Sequence, residues 1–213
     1  MSSDMQTPPP ESRRWRDGAA HYGAVSRVNH WVLAALMIAM LGSGLTVEYV
    51  PLAQAVSGLL RDWYKALGVT VLGLGLWRVS WRLVQGFQQD NGAGPAWQAR
   101  VAKAMHWALL AAIVVMPMSG LLMTLFAGRS IAVAGFTIPA APQVDWLAQA
   151  AGSVHALGGI TLTVLVVGHV LAALKHHLLD RDDTLSRMLS RRRPPGTAGA
   201  PKALDTRAEA LRT

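Results

Sequence analysis

His155 and His169 stand inside the apolar run "SVHALGGITLTVLVVGHVLAALKHH", residues 153 to 177. An imidazole in hydrocarbon is costly without a partner, so each marks a candidate functional site; the plainer alternative is a hydrogen bond between helices. The fourteen-residue offset between them, at about 100° per residue, comes within about 40° of whole turns. The two side chains therefore share one helix face, about 21 Å apart along the axis. Two metal centres stacked across a membrane need this arrangement, because an electron can then hop from one to the other.

The chain has no Cys, which excludes disulfides, thiolate-held metals, iron–sulfur clusters and covalent c-type haem. Redox chemistry must use His, an oxygen ligand or a non-covalent cofactor. Haem b meets that condition, since its iron takes two axial nitrogens from facing helices. His30, in "SRVNHW" near the start of the first apolar segment, is at the depth that His169 reaches, and these two form the expected inner pair. His155 needs an outer partner from the start of the second segment or the end of the first or third. There the sequence offers "DWYKALGVTVLGLGLWRVSWRL", which contains no His.

The elements that must carry these residues are read from hydropathy. Of the 213 residues, 52% are hydrophobic and 15% charged, outside the usual range for a soluble domain. Four segments, about 28–50, 63–84, 105–127 and 152–178, are long and apolar enough to cross a bilayer. The first, with "WVLAALMIAMLGSGL", is followed by no small-residue cleavage site and is read as a retained span. Seventeen of the twenty Lys and Arg residues fall on one side of these spans, with only Arg61, Lys65 and Arg129 on the other. The positive-inside rule then puts both termini in the cytoplasm. The net charge of +8 is thus an orientation signal, and no nucleic-acid partner is expected.

The expected fold class is an all-α integral membrane protein, a four-transmembrane-helix bundle spanning residues 21–193 as one domain. The Pro-rich and Gly/Ala-rich ends, 1–20 and 194–213, are expected to be disordered tails. The second connection, "QGFQQDNGAGP", reads as a loop. The third, "GRSIAVAGFTIPAAPQVDW", is apolar enough to lie against the outer membrane face as a lid.

The chain resembles the bacterial cytochrome b561 family of short four-span di-haem membrane cytochromes, which includes a superoxide:ubiquinone oxidoreductase. The residues that carry the likeness are "SRVNHW", "KALG" with "WRVSWRL", "MHWALLAAIVVMPMSGLLM", "GFTIP", "VHALGG" and "ALKHHLLDRDDTLSRML", covering about residues 21–193. The resemblance implies haem b held by His30 and His169 at the inner site and by His155 at the outer one. It also implies a fourth ligand, a His fourteen residues before an Arg at the end of the second span. Counting back from Arg78 reaches Tyr64. Three readings stay open: a lost or altered outer site, ligation by Tyr64, and ligation by Lys65, which one residue turns about 100° away.

Other positions have functional and plain readings side by side. His106 is expected to hydrogen-bond a propionate or a neighbouring helix. Arg78 and Arg82, one turn apart, suit haem propionates or lipid phosphates. His176, two turns from His169, could border a quinone and supply protons to it, or simply belong to a polar helix end with Lys175. Pro117 with Gly120 is expected to kink the third span. The implied function is single-electron transfer in the bacterial inner membrane between superoxide or a periplasmic redox protein and the quinone pool. The alternative is a non-enzymatic, single-haem electron-transfer or anchor subunit. One or two haem b groups are implied.

Overall fold

The computed structural model describes Trp15, Asp17 and residues 22–86, 95–180 and 185–189. Most of the two expected tails, and residues 87–94 of the second connection, lie outside the described residues. Four long helices make the body: α1 (Ala24–Tyr49), α2 (Gln54–Gln85), α3 (Ala96–Leu125) and α4 (Asp145–Leu178). All four are long and apolar enough to cross a membrane. Helices α2, α3 and α4 each begin about two turns before the apolar segment read from hydropathy. The polar residues "QAVSGLLRD", "AWQARVAKA" and "DWLAQAA" hold helical conformation past the edge of the apolar run.

Local chemistry sets the ends. Helix α1 stops at Val50, extended before Pro51, as the residue before a proline prefers. Helix α2 stops at Gly86, whose φ of 74° is open to glycine, with its N–H bonded to Arg82 O. Between α3 and α4 the chain forms a two-stranded antiparallel hairpin, β1 (Ile131–Val133) and β2 (Phe136–Ile138). Its two-residue turn, Ala134–Gly135, has φ of 46° and 87°, the positive values that match the twist of the flanking strands. A short helix, α5 (Ser186–Leu189), follows α4, and Met188 O accepts a bond from Trp31 Nε1 at 3.1 Å.

Helix α2 packs against α1 and α3, and α3 against α4, while α1 and α4 are not packed along their length. Leu33, Val71 and Ile113 form the core where α1, α2 and α3 meet, with Met37, Met40 and Leu74 around them. A Cβ added at Gly75 of α2 would lie 2.9 Å from Ile113 O on α3, so the glycine sets how closely these helices approach. Ile113 is also the residue whose carbonyl loses its helical donor to Pro117, four positions on. The missing Cβ at Gly75 lets the backbone of α2 approach that freed oxygen. Large apolar side chains such as Val164, Leu171 and Val84 face outwards, as they must where the surrounding medium is lipid.

Candidate functional site: two histidine centres at opposite ends of the bundle

One centre lies towards the end of the bundle where α1 begins and α4 ends, each contributing residue about two to three turns from its helix end. His30 from α1, Arg78 from α2, His106 from α3 and His169 from α4 converge there, one from each helix. The His30 and His169 rings have centroids 6.5 Å apart at 71°, and His106 lies 5.6 Å from His169 at 75°. Among the described residues no group of three or more such side chains could hold a bare metal ion.

Haem asks for less, because the porphyrin supplies four nitrogens and the protein only the axial ligands. With metal–imidazole bonds of about 2 Å, two imidazoles on opposite sides of one iron have centroids about 6 Å apart. The His30–His169 separation of 6.5 Å meets that requirement, across the gap where α1 and α4 are not packed. These residues fit the cofactor.

Arg78 donates to Asn29 Oδ1 at 3.0 Å, to Ser26 O at 3.5 Å and to His30 Nδ1 at 3.2 Å. A guanidinium cannot accept, so Nδ1 of His30 is the acceptor in this arrangement and Nε2 carries the ring proton. One turn further on, Arg82 pairs with Asp17 at 3.2 Å. Asp17 also accepts from Gly23 N–H at 2.8 Å and Ser26 O–H at 2.9 Å, and Trp81 Nε1 donates to Ser26 Oγ at 3.0 Å. The Tyr22 ring lies 5.3 Å from the Arg82 guanidinium. The expected N-terminal tail therefore contains a carboxylate tied into the bundle, which the composition of residues 1–20 gave no sign of.

The second centre lies towards the hairpin end. His155 Nδ1 is 3.0 Å from Met116 O and 3.2 Å from Ser119 Oγ. A carbonyl only accepts, so Nδ1 carries the proton and Nε2 is left with its lone pair. Tyr64 of α2 points its hydroxyl at that lone pair, 3.3 Å from Nε2. The two rings are 6.3 Å apart at 84°. A backbone carbonyl that fixes the tautomer from the far nitrogen is the usual support of a metal-ligating imidazole.

Glycines make room for both rings. A Cβ at Gly120 would lie 3.1 Å from the His155 ring, and one at Gly44 would lie 3.4 Å from the Tyr64 ring. The cavity beside them is walled by Met40, Gly68, Pro117 and Leu162, and β1 closes it with Ile131, which is 2% exposed. The third connection, expected to lie against the outer membrane face as a lid, folds here as a hairpin whose Ile131 is buried against this cavity. Lys65 also lines the cavity, but its ammonium is bound to Asp62 at 2.6 Å. His176, expected near the first centre, sits about 10 Å further along α4, its Nδ1 3.0 Å from Asp180, which also binds Lys175 at 2.6 Å.

Of the expected site residues, the structure gathers His30, His169, His106 and Arg78 at one end and His155 with Tyr64 at the other. Sequence reasoning missed Asp17, Asn29 and Ser119. Asn29 adjoins His30 in "SRVNHW", and Ser119 lies between Pro117 and Gly120, but a single polar residue beside a histidine carries no spacing signal.

Comparison with known proteins identifies the family. Residues 21–191 match the family model described as prokaryotic cytochrome b561. Cytochrome b561 homolog 2 of Escherichia coli (strain K12) is 31% identical over 175 residues, 80% of this chain and 92% of that protein. Cytochrome b561 homolog 1 of the same strain is 30% identical over 100 residues, 46% of this chain and 57% of that protein. A probable superoxide oxidase of Yersinia pestis is 32% identical over 95 residues, 44% of this chain and 53% of that protein. With four membrane-length helices and these bacterial relatives, the protein is a multi-pass protein of the inner membrane. The chain belongs to the prokaryotic cytochrome b561 family, and at that level it is a membrane electron-transfer protein.

Proposed function

We propose that this protein is a b-type cytochrome that passes single electrons through the membrane, with a haem b held by His30 and His169 at the end where α1 begins and α4 ends. The observation that carries this reading is the 6.5 Å separation of the two rings across the unpacked face between α1 and α4. The cofactor, when bound, supplies one-electron chemistry; the chain supplies ligands, orientation and charge.

His30 and His169 offer their Nε2 atoms to the metal. A neutral imidazole has one nitrogen free to accept, so metal binding at Nε2 of His30 and the present Arg78 bond to Nδ1 exclude each other. Arg78, whose direct hydrogen-bond partners Asn29, Ser26 and His30 are neutral, would then be free of His30 to pair with a propionate carboxylate. Arg82 is already matched by Asp17. His106, beside His169, positions that ring.

The distribution of basic residues supports a cytoplasmic location for both termini, and so for this centre. The quinone pool is the proposed acceptor there, with His176 a proton donor at the membrane surface. Similarity to a probable superoxide oxidase supports superoxide or a periplasmic redox protein as the donor at the hairpin end. Arg61, Lys65 and Arg129 on that side would steer an anion. Purified protein tested for superoxide-dependent reduction of added quinone decides the donor. Activity without a partner supports the oxidoreductase, and dependence on a co-purifying protein supports an electron-transfer subunit.

A further inference from the structure

We infer that the hairpin-end centre is a haem site whose axial ligands are the His155 imidazole and the Tyr64 phenolate, so that the protein carries two chemically unlike haems. The inference rests on the b-type cytochrome reading above and adds the ligand set of the second site.

Three observations carry it. The Tyr64 oxygen and His155 Nε2 already face each other at 3.3 Å. An iron between them at about 2 Å from each atom needs about 4 Å, so the two atoms need to part by less than about 1 Å to reach ligand spacing, with the cavity walls moving further to take the macrocycle. His155 holds its proton on Nδ1, bonded to Met116 O and Ser119, which leaves Nε2 in the form that binds metal without losing a proton. Space beside the His155 ring is kept by Gly120, where a Cβ would lie 3.1 Å from it, and a Cβ at Gly44 would be in contact with the Tyr64 ring at 3.4 Å. Lys65, the other candidate on this helix, is bound to Asp62.

Ligation exchanges the Tyr64 O–H bond for an O–Fe bond, and the proton leaves to the aqueous phase at the hairpin end. The iron keeps its oxidation state in that step. Charge then favours one redox state: ferric porphyrin carries one positive charge, which the phenolate cancels, while the ferrous form would be left with a net negative charge in a low-dielectric setting. A haem held by Tyr64 would therefore be the poorer electron acceptor of the two, and the ligand difference would favour transfer from it to a haem held by His30 and His169. The pair would set a direction, from the hairpin end to the end where α1 begins and α4 ends.

The test is electron paramagnetic resonance and resonance Raman spectroscopy of oxidised, detergent-purified full-length protein, with haem counted per chain. The expected result is two haems, a low-spin signal and a separate high-spin signal that shows phenolate vibrations. Y64F should remove the phenolate vibrations and leave the low-spin haem. Y64H should replace the high-spin signal with a second low-spin one, which keeps the test valid if Y64F loses the second haem. One haem per chain, or a high-spin signal unchanged in Y64F, overturns the inference but leaves the first centre standing. Protein without any low-spin haem overturns the reading beneath it as well.

Discussion

The guanidinium of Arg82 meets the carboxylate of Asp17 at 3.2 Å, with 7% and 5% of the two side chains exposed. This buried pair, from helix α2 and the segment before α1, divides the work of two arginines one turn apart. Asp17 pairs directly with Arg82, while the direct hydrogen-bond partners of Arg78 are the neutral Asn29, Ser26 and His30.

Breaking this pair on one side leaves a buried charge alone. D17A or R82A alone should therefore lower stability by about 3 kcal/mol. The double variant D17A/R82A should recover part of that loss. Thermal unfolding in detergent checks it; two single losses that simply add in the double variant would mean that the residues do not interact.

Arg78 should tune the potential of the haem held by His30 and His169. A nearby positive charge favours the reduced state, so R78A should lower that midpoint potential by tens of millivolts, while R78K should retain most of it. Potentiometric titration of the purified variants reads this directly. An unchanged potential in R78A would mean that the guanidinium does not pair with a propionate.

Gly75 should tolerate no side chain. A Cβ there would lie 2.9 Å from Ile113 O, a backbone atom that cannot rotate away, so G75A must push α2 from α3. The expected cost is about 1–3 kcal/mol, typical of overpacking. G73A is the control, since nothing lies within 4 Å of a Cβ at Gly73. Equal melting temperatures for the two variants would contradict the close approach.

The four spans were legible because hydropathy reports the medium a segment faces, and His30, His155 and His169 were legible because imidazole is rare in that medium. Tyr64 was noticed only as a departure from the family pattern; nothing in its neighbours announced that its hydroxyl would meet His155. Asp17 was not legible at all, since one carboxylate in a Pro-rich, polar stretch looks like solvated tail until Arg82, sixty-five positions on, is placed beside it. The hairpin was hidden for a similar reason. "IAVAGFTI" is short and apolar, and only the positive φ at Ala134 and Gly135 makes it a turn with two strands.

His106 should separate positioning from ligation. H106A should keep a low-spin haem with a shifted potential or g-values, because the ring contacts His169 without being opposite it across the α1–α4 gap. Loss of the low-spin signal in H106A, with retention in H30A, would assign the ligand pair to α3 and α4 instead.

The most direct measurement is the low-spin haem signal of purified protein, compared among the wild type, H30A and H169A at matched expression and haem supply. The account predicts a low-spin b-type spectrum in the wild type and its loss in each variant, through one vacant axial position. A low-spin spectrum that survives in both H30A and H169A would contradict the pairing on which the proposed function stands.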